Sequence, residues 1–342
     1  MHSTMQFRAK CALVAIVVAS AMPVCEAQPK PLSLRYTTGA PQRTPWVTQL
    51  ERFQKAVEEE SKGALKIDGF IGAQLGNEQD TMQQVARGRI DMGGFSTNAV
   101  AVVVPEMTML VLPFYFRTVA ESDCAIDALT RPITELLGKR GLQLLSFTDV
   151  GVSDLAGKRP FVNPADVKGI KAASYGSKMG TIMWNTLGAN SSPMGITEWA
   201  PAFQSGAIDA ANTPSTFYVP SGLNKVAPVL SRLEMWSNPA FILMNKGIFD
   251  KLPAEQKDAL VRASARTPLA DNRRELRAFE AMIRGVHEKG GGQVAQVTPA
   301  QREQWRRAMA PAWPQMVRET GGESESFFNQ LEVARKACEG KS

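Results

Sequence analysis

Apolar and polar positions along the first third of the chain repeat with two different periods. Residues 32–36 alternate apolar and polar side chains and run into the turn-rich residues 37–45, which predicts a strand followed by a loop. Over residues 46–61 the apolar positions recur every three or four residues, with Gly63 just beyond them, which predicts a helix. The period of the pattern therefore changes from two to 3.6 within thirty residues.

The same two periods continue through the middle of the chain. Strands or short apolar runs are predicted at residues 65–67, 90–92, 108–112, 142–147, 169–173, 208–210 and 241–244, and helices at residues 78–87, 121–137, 179–187 and 198–204. Such alternation of strands and helices is typical of an α/β protein with a largely parallel sheet covered by helices. We expect a domain change near residues 150–154, where a strand runs into glycine and serine, and a return to the first domain at residues 241–244.

The pattern after Pro253 is almost wholly helical. Pro268 lies inside this run, and because proline lacks an amide donor and clashes with the preceding turn, it must break or kink the helix. Residues 299–336 predict one or two further helices. The mature chain exceeds 300 residues, a length that suits two domains of ordinary size.

The N-terminus has the pattern of a secretory signal peptide. Arg8 and Lys10 precede an apolar stretch over residues 11–22, and a small residue, Ala27, ends the segment. We expect cleavage after Ala27 and export to the periplasm. A membrane anchor is the alternative, but the stretch is shorter than the ~20 residues that a bilayer requires. Lipidation of Cys25 is a second alternative, disfavoured by the residues that precede it.

Cysteines and charges add little chemistry to this picture. Removal of the signal peptide leaves Cys124 and Cys338, which in an oxidising compartment form either one disulfide or two isolated thiols. Two cysteines so far apart do not indicate a metal site, and we expect no metal and no cofactor. The 39 lysines and arginines slightly exceed the 33 acidic residues, but they are scattered, which argues against a nucleic-acid partner.

Catalytic motifs are lacking in the sequence. The mature chain has a single histidine, His287, which its charged neighbours Glu288 and Lys289 place on a solvent-facing part of a helix. No nucleophile elbow, zincin helix or phosphate loop occurs. Acidic residues lie mostly beside basic residues in predicted helices, as solvated helix faces do. We therefore predict that the protein is not an enzyme, with a periplasmic enzyme acting in a cleft as the less favoured alternative.

Several motifs resemble the dicarboxylate-binding solute receptors of tripartite ATP-independent periplasmic (TRAP) transporters. They are the Gln-Leu-Gly turn at 74–76 with Gly-Arg-Ile-Asp at 88–91, Pro-Glu at 105–106, Leu-Pro-Phe at 112–114, the loop at 163–171, Gly-Ala-Asn at 188–190 with Pro-Met at 193–194, and the segment 204–209. The resemblance spans residues 34–331. Their order and spacing carry it, since each motif alone is common.

This resemblance implies two α/β domains, joined by crossover strands and a long helix, that close on a ligand by a hinge movement. Domain I would comprise residues 28–150 and 239–278, and domain II residues 151–238 and 279–342 with the C-terminal helices. The receptor would be a monomer that delivers its solute to the membrane permease subunits. A protein of the same fold that serves a sensor or another permease remains an alternative.

The sequence departs from this family at the positions that usually hold a substrate carboxylate. The arginine that most members carry after the Gly-x-Lys strand is Ala173 here, and another at the first crossover is Ser153. The asparagine of the second-domain segment is replaced by Thr213, although Asn212 stands next to it. Because a guanidinium is the best partner for a planar carboxylate, these changes alter the expected ligand.

Positions that match the family's cleft supply the candidate ligand-binding residues. They are Arg43, Trp46, Ser96, Asn98, Ser153, Ala173, Tyr175, Lys178, Asn212, Thr213, Trp236 and Asn238. Core packing is the alternative for the two tryptophans, and a solvated surface for Arg43 and Lys178. We expect a small organic ligand held by stacking, apolar contact and neutral hydrogen bonds. An organic monocarboxylate would fit only if Arg43 or Lys178 turned inward, and C4-dicarboxylates and sialic acid should bind poorly.

Overall fold

A computed structural model describes residues 30–174 and 178–340. The strands β1–β9 are Leu32–Thr38, Leu65–Phe70, Met92–Ser96, Leu142–Gly157, Lys171–Ser174, Asn190–Pro193, Ala210–Pro214, Val229–Asn245 and Gln293–Gln296. The helices α1–α14 are Pro45–Glu60, Glu78–Ala86, Thr97–Val100, Val119–Ala128, Thr130–Lys139, Lys178–Thr186, Trp199–Ser205, Ser215–Tyr218, Lys246–Lys251, Ala254–Ala265, Leu269–Lys289, Pro299–Met309, Trp313–Thr320 and Ser324–Ala337. The predicted signal peptide, residues 1–27, lies outside the described residues.

The strands form one mixed sheet in the order β2-β1-β3-β8-β4-β7-β5-β6, with β9 beside β8. Strands β1, β2 and β3 are parallel to one another, as are β5, β6 and β7. These two sets of three strands are the halves of the sheet, and two long antiparallel strands, β4 and β8, join them. Strand β3 pairs with residues 240–244 of β8, and β7 pairs with residues 153–157 of β4. This arrangement confirms the predicted α/β class and the crossover strands.

Helix α11 is the long helix expected from the resemblance. It packs along β4 and also contacts α1, beside the first half of the sheet, and α8 and β9, beside the second. Pro268 is its N-cap residue, and α10 has ended at Ala265, which confirms the predicted break. Of the helices in the described part of the chain, none is long and apolar enough to cross a membrane.

Three predictions of local structure were wrong. Residues 108–112 belong to a 3-10 helix, Pro105–Val111, and its C-cap rather than to a strand. The helix predicted over 121–137 is two helices, α4 and α5, because Pro132 is tolerated only in the first turn of a new helix. His287 is 4% exposed rather than solvent-facing, since its ring packs against Tyr218 and its Nε2 lies 3.1 Å from the carbonyl oxygen of Pro228.

A disulfide joins the first half of the chain to its C-terminus. Cys124 of α4 is bonded to Cys338, the C-cap residue of α14, and their Cα atoms are 5.9 Å apart. Helix α14 packs on α4 and on the 3-10 helix at Pro105–Val111, so the two cysteines meet through helix packing. The crosslink therefore fixes the last helix against the first half of the structure.

Candidate functional site

A cavity of about 340 Å³ lies where the two halves of the sheet meet. On one side its wall comes from the carboxyl ends of β1 and β3 and from α1 and the first residue of α2. On the other side Ile196, Thr197, Pro214, Phe217 and Ser221 line it, and the crossover strands supply residues 148–150 with Asn238 and Ala240. Ligand sites in open α/β sheets lie at the carboxyl ends of parallel strands, so the topology itself places a binding site here.

Carboxylates supply the charged side chains of the described cavity wall. Among the described residues that line it, none is a lysine, arginine or histidine, whereas Glu78 and Asp149 are acidic. The carboxylate of Asp149 lies 3.5 Å from Arg277 and 3.6 Å from Arg273, both on α11. Its charge is therefore compensated from behind the wall.

Glu78 has a different environment. Its two carboxylate oxygens accept hydrogen bonds from Ser96, one from the backbone amide at 2.6 Å and one from the hydroxyl at 2.7 Å. Burial raises the pKa of Glu78, and the hydrogen bonds from Ser96 oppose that rise. A carboxylate has room for about four donors, so Glu78 can accept further hydrogen bonds from a ligand.

Aromatic rings supply the apolar part of the wall. Tyr36 and Phe95 are buried below the cavity, whereas Trp46 and Phe217 flank it. A Cβ at position 94 would collide with the Tyr36 hydroxyl, which explains the glycine there. Trp46 also donates its indole N–H to the carbonyl oxygen of Asp149 over 2.8 Å, so the orientation of its ring is fixed.

The crossover strands supply an amide that is already hydrogen-bonded. Asn238 donates to the carbonyl oxygen of Gly151 at 2.8 Å and to the Ser153 hydroxyl at 3.0 Å, and it accepts from the Trp236 indole at 2.7 Å. Asn98, at the start of α3, also lines the cavity. Ser153 and Trp236, which do not line the cavity, are therefore linked to it through Asn238.

The structure brings only some of the predicted site residues to this cavity. Trp46, Ser96, Asn98 and Asn238 line it. Seven others do not: Ser153, Ala173, Asn212, Thr213 and Trp236 are buried, and Arg43 and Lys178 are exposed. The remaining predicted residue, Tyr175, is outside the described residues.

Burial within strands explains why most of these residues do not line the cavity. Ala173 of β5 packs in a cluster with Trp199 and Phe203, where an arginine would not fit without repacking. Asn212 and Thr213 lie in β7, a central strand that is buried along its whole length. Arg43 stands in the left-handed region at φ 61°, on the loop before α1, and its side chain faces solvent.

Sequence reasoning missed Glu78, Tyr36, Phe95 and Phe217. Glu78 is the first residue of a helix capped by Asn77, where an acidic residue is common for helix stability alone. A usable signal was the position of the Gln-Leu-Gly turn shortly before it, since Ala73 and Asn77 on either side of that turn line the cavity. In the residues that the structure describes, no group of three or more His, Cys, Asp or Glu side chains could hold a metal ion.

Comparison with known proteins gives consistent matches over most of the chain. The sequence model described as bacterial extracellular solute-binding protein, family 7, matches residues 36–320. The 2,3-diketo-L-gulonate-binding periplasmic protein YiaO of Escherichia coli strain K12 is 29% identical over 242 residues, which cover 70% of this chain and 74% of that protein.

Two solved structures share the fold and carry bound sugar acids. A TRAP periplasmic solute-binding protein from Roseobacter denitrificans, with β-D-glucuronate, has a TM-score of 0.82 at 25% identity and covers 89% of this chain and 99% of its own. One from Xanthobacter autotrophicus, with β-D-galacturonate, has a TM-score of 0.80 at 27% identity and covers 88% of this chain and 99% of its own.

Proposed function

The chain belongs to family 7 of the bacterial extracellular solute-binding proteins, and we propose from this that it captures a small organic solute in the cavity between β1, β3 and the crossover strands and delivers it to the permease subunits of a TRAP transporter. The observation that carries the proposal is the enclosure of this cavity by residues of both halves of the sheet. Such a concave, mostly apolar pocket with a few polar groups suits a small molecule.

We further propose that the ligand is uncharged, or less charged than those of the relatives. A carboxylate buried without a cationic partner is costly, and the only charged side chains of the described wall are the acidic Glu78 and Asp149. An organic monocarboxylate requires Arg43, or Lys178 at the start of α6, to turn inward. Dicarboxylates and sialic acid should bind poorly.

The polar groups of the wall suit a ligand that carries hydroxyl groups. Glu78 accepts hydrogen bonds, Asn98 has an amide group, and Trp46 presents a ring against which an apolar face can stack. The side-chain oxygen of Asn238 can accept one hydrogen bond besides that from Trp236. The relatives from Roseobacter denitrificans and Xanthobacter autotrophicus hold sugar acids. A ligand of similar size without the acid group, such as a sugar or polyol, fits this set of groups.

The cellular setting follows from the same proposal. Residues 1–27 act as a signal peptide cleaved after Ala27, and the mature receptor is a periplasmic monomer. Its two domains meet at residues 150–151 and 238–239, where β4 and β8 cross between the halves of the sheet. A sensor or another permease is the competing partner, and an uptake assay in a strain that lacks the TRAP permease separates these roles.

A thermal-shift screen with matched ligand pairs tests the proposal. Each pair contains an acid and its uncharged counterpart: D-glucuronate with D-glucose, D-galacturonate with D-galactose, and succinate with succinamide. A ligand at a hundredfold excess over its dissociation constant stabilises the fold by ~2.7 kcal/mol, which is several degrees in melting temperature. We expect larger shifts from uncharged members. A screen in which the acids alone raise the melting temperature contradicts the proposed ligand class, and ligand turnover would indicate an enzyme.

A further inference from the structure

Strand β4 is interrupted at the point where it crosses between the two halves of the sheet. Its pairing with β8 shifts register between Asp149 and Gly151, and Gly151 stands at φ +102°. We call residues 149–152 the crossover segment. Because the strand pairing is interrupted there, its backbone N–H and C=O groups depend in part on side chains for their hydrogen-bond partners.

Side chains from the cavity and from α8 hold the carbonyl groups of the crossover segment. Trp46 donates to the carbonyl oxygen of Asp149 at 2.8 Å, and Asn238 donates to that of Gly151 at 2.8 Å. Thr216 of α8 donates its hydroxyl to the carbonyl oxygen of Val150 at 2.6 Å. Two of the three donors, Trp46 and Asn238, also line the ligand cavity.

Helix α11 holds the same segment from the opposite side. Glu280 accepts the amide of Val152 at 2.7 Å, and its carboxylate fills the space that a Cβ on Gly151 would need. Arg277 lies 4.0 Å from Glu280 and 3.5 Å from Asp149. The carboxylates of Asp149 and Glu280 are almost fully buried.

We propose that Glu280 and Arg277 are positioning residues, which set the balance between the open and closed arrangements of the receptor through the crossover segment without touching the ligand. The inference rests on the proposed function, because the balance between open and closed arrangements matters only in a receptor that closes on its ligand. Glu280 is almost fully buried and Arg277 is partly exposed, so removing either side chain leaves a buried carboxylate of this region less well compensated. The conformation of the crossover segment should therefore respond to either substitution. Hinges are short segments of this kind, at which large changes of backbone angle are absorbed.

Electron spin resonance on the ligand-free protein tests this inference. Nitroxide labels are attached at Gln74→Cys and Gln204→Cys, two exposed positions on opposite sides of the cavity, while Cys124 and Cys338 remain joined. We expect Glu280→Ala to change the ratio of short to long distances at least about fivefold, the lower end of typical coupling between sites. Glu280→Gln, which keeps an acceptor for Val152, should stay closer to the unsubstituted protein.

Two further variants make the result decisive. Glu288→Ala changes the same residue type in an exposed position at the end of α11 and should leave the distances unchanged. Arg277→Gln should shift the ratio of short to long distances in the same direction as Glu280→Ala. If Glu280→Ala does not fold, the test is made with Arg277→Gln alone. Unchanged distances in a folded Glu280→Ala or Arg277→Gln protein overturn the inference, as does an equal change in Glu288→Ala. The measurement uses no ligand, so it remains valid even if the thermal-shift screen contradicts the proposed ligand class.

Discussion

Glu78 accepts two hydrogen bonds from Ser96 at the edge of the cavity, one from the backbone amide at 2.6 Å and one from the hydroxyl at 2.7 Å, so that both of its carboxylate oxygens are used. The pair ties the start of α2 to the end of β3 and places a negative charge on the wall. No lysine or arginine among the described residues of that wall balances it. The described part of the wall therefore offers an organic acid no counter-charge.

Glu78→Gln should reduce the preference for uncharged ligands. The substitution keeps the shape of the side chain and removes its charge, so the repulsion of an acid falls while hydroxyl groups still find an acceptor. We expect the ratio of dissociation constants for D-glucuronate and D-glucose to fall at least about tenfold, or roughly 1.4 kcal/mol. Calorimetry measures both, with Glu288→Gln as the matched control. An unchanged ratio would show that Glu78 does not set the charge preference.

Gly151→Ala should destabilise the protein, because its backbone is in the left-handed region and the carboxylate of Glu280 occupies the site of the added methyl group. A loss of more than about 1 kcal/mol in unfolding free energy is expected. Gly138→Ala is the control, since position 138 is in helix α5 and has open space around it, and there alanine should stabilise by up to ~1 kcal/mol. Urea denaturation measures the unfolding free energy of both variants. Equal changes in Gly151→Ala and Gly138→Ala would contradict the contact between position 151 and Glu280.

Acidic side chains buried near the crossover predict a fall in stability as the pH rises. Burial raises the pKa of Asp154 from 3.8 to about 6, against the opposing effect of Arg232, and burial also raises the pKa of Asp123 to about 6. The folded state therefore holds more protons than the unfolded state between about pH 4 and pH 6, and the unfolding free energy decreases across that window. For Asp154 the decrease is at most roughly 3 kcal/mol.

Denaturant unfolding at several pH values between 4 and 7 measures this dependence. Asp154→Asn removes one of the carboxyl groups whose pKa burial raises and should make the profile less steep, whereas Asp250→Asn, at an exposed i,i+4 pair with Lys246, should not. A wild-type stability that rises from pH 4 to pH 6 would contradict the expected fall.

The bond between Cys124 and Cys338 should be complete in the exported protein. A thiol reagent added to the denatured, unreduced mature protein should detect no free thiol, and two after reduction. Replacing both cysteines by serine should lower the unfolding free energy by up to ~5 kcal/mol in the chain-entropy description, because the bond closes a loop of 214 residues. Two free thiols before reduction would rule the bond out.

The fold could be predicted from the sequence because local patterns decide most of it. The change of period after residue 45 and the position of Pro268 each fix the boundary of a helix, as α1, α10 and α11 confirm. Ser96 and Asn98 could be predicted from the sequence because they lie at or just after the end of a strand whose end must face the cleft. The crossover strands were expected from the resemblance, but their lengths were not, since β8 spans 17 residues that include apolar and polar stretches.

The remaining site residues depend on tertiary contacts that no period reveals. The burial of Ala173 in a cluster with Trp199 is decided by packing between β5 and α7. His287 has charged neighbours in sequence, yet the rotation of α11 against α8 buries it beside Tyr218. Asp149 reaches the cavity wall because β4 is interrupted there, and Arg273 and Arg277, more than a hundred residues later, compensate its charge.

Titration calorimetry of the mature protein measures directly whether a cavity wall without a cation excludes organic acids. The ligands are succinate, D-glucuronate and the uncharged compound that gives the largest thermal shift. We expect the uncharged compound to bind at one site and at least about tenfold more tightly than D-glucuronate, and succinate to give no measurable heat. Strong binding of succinate, or binding of D-glucuronate tighter than that of every uncharged counterpart, would contradict the proposal that the absence of Lys, Arg and His from the described wall disfavours organic acids.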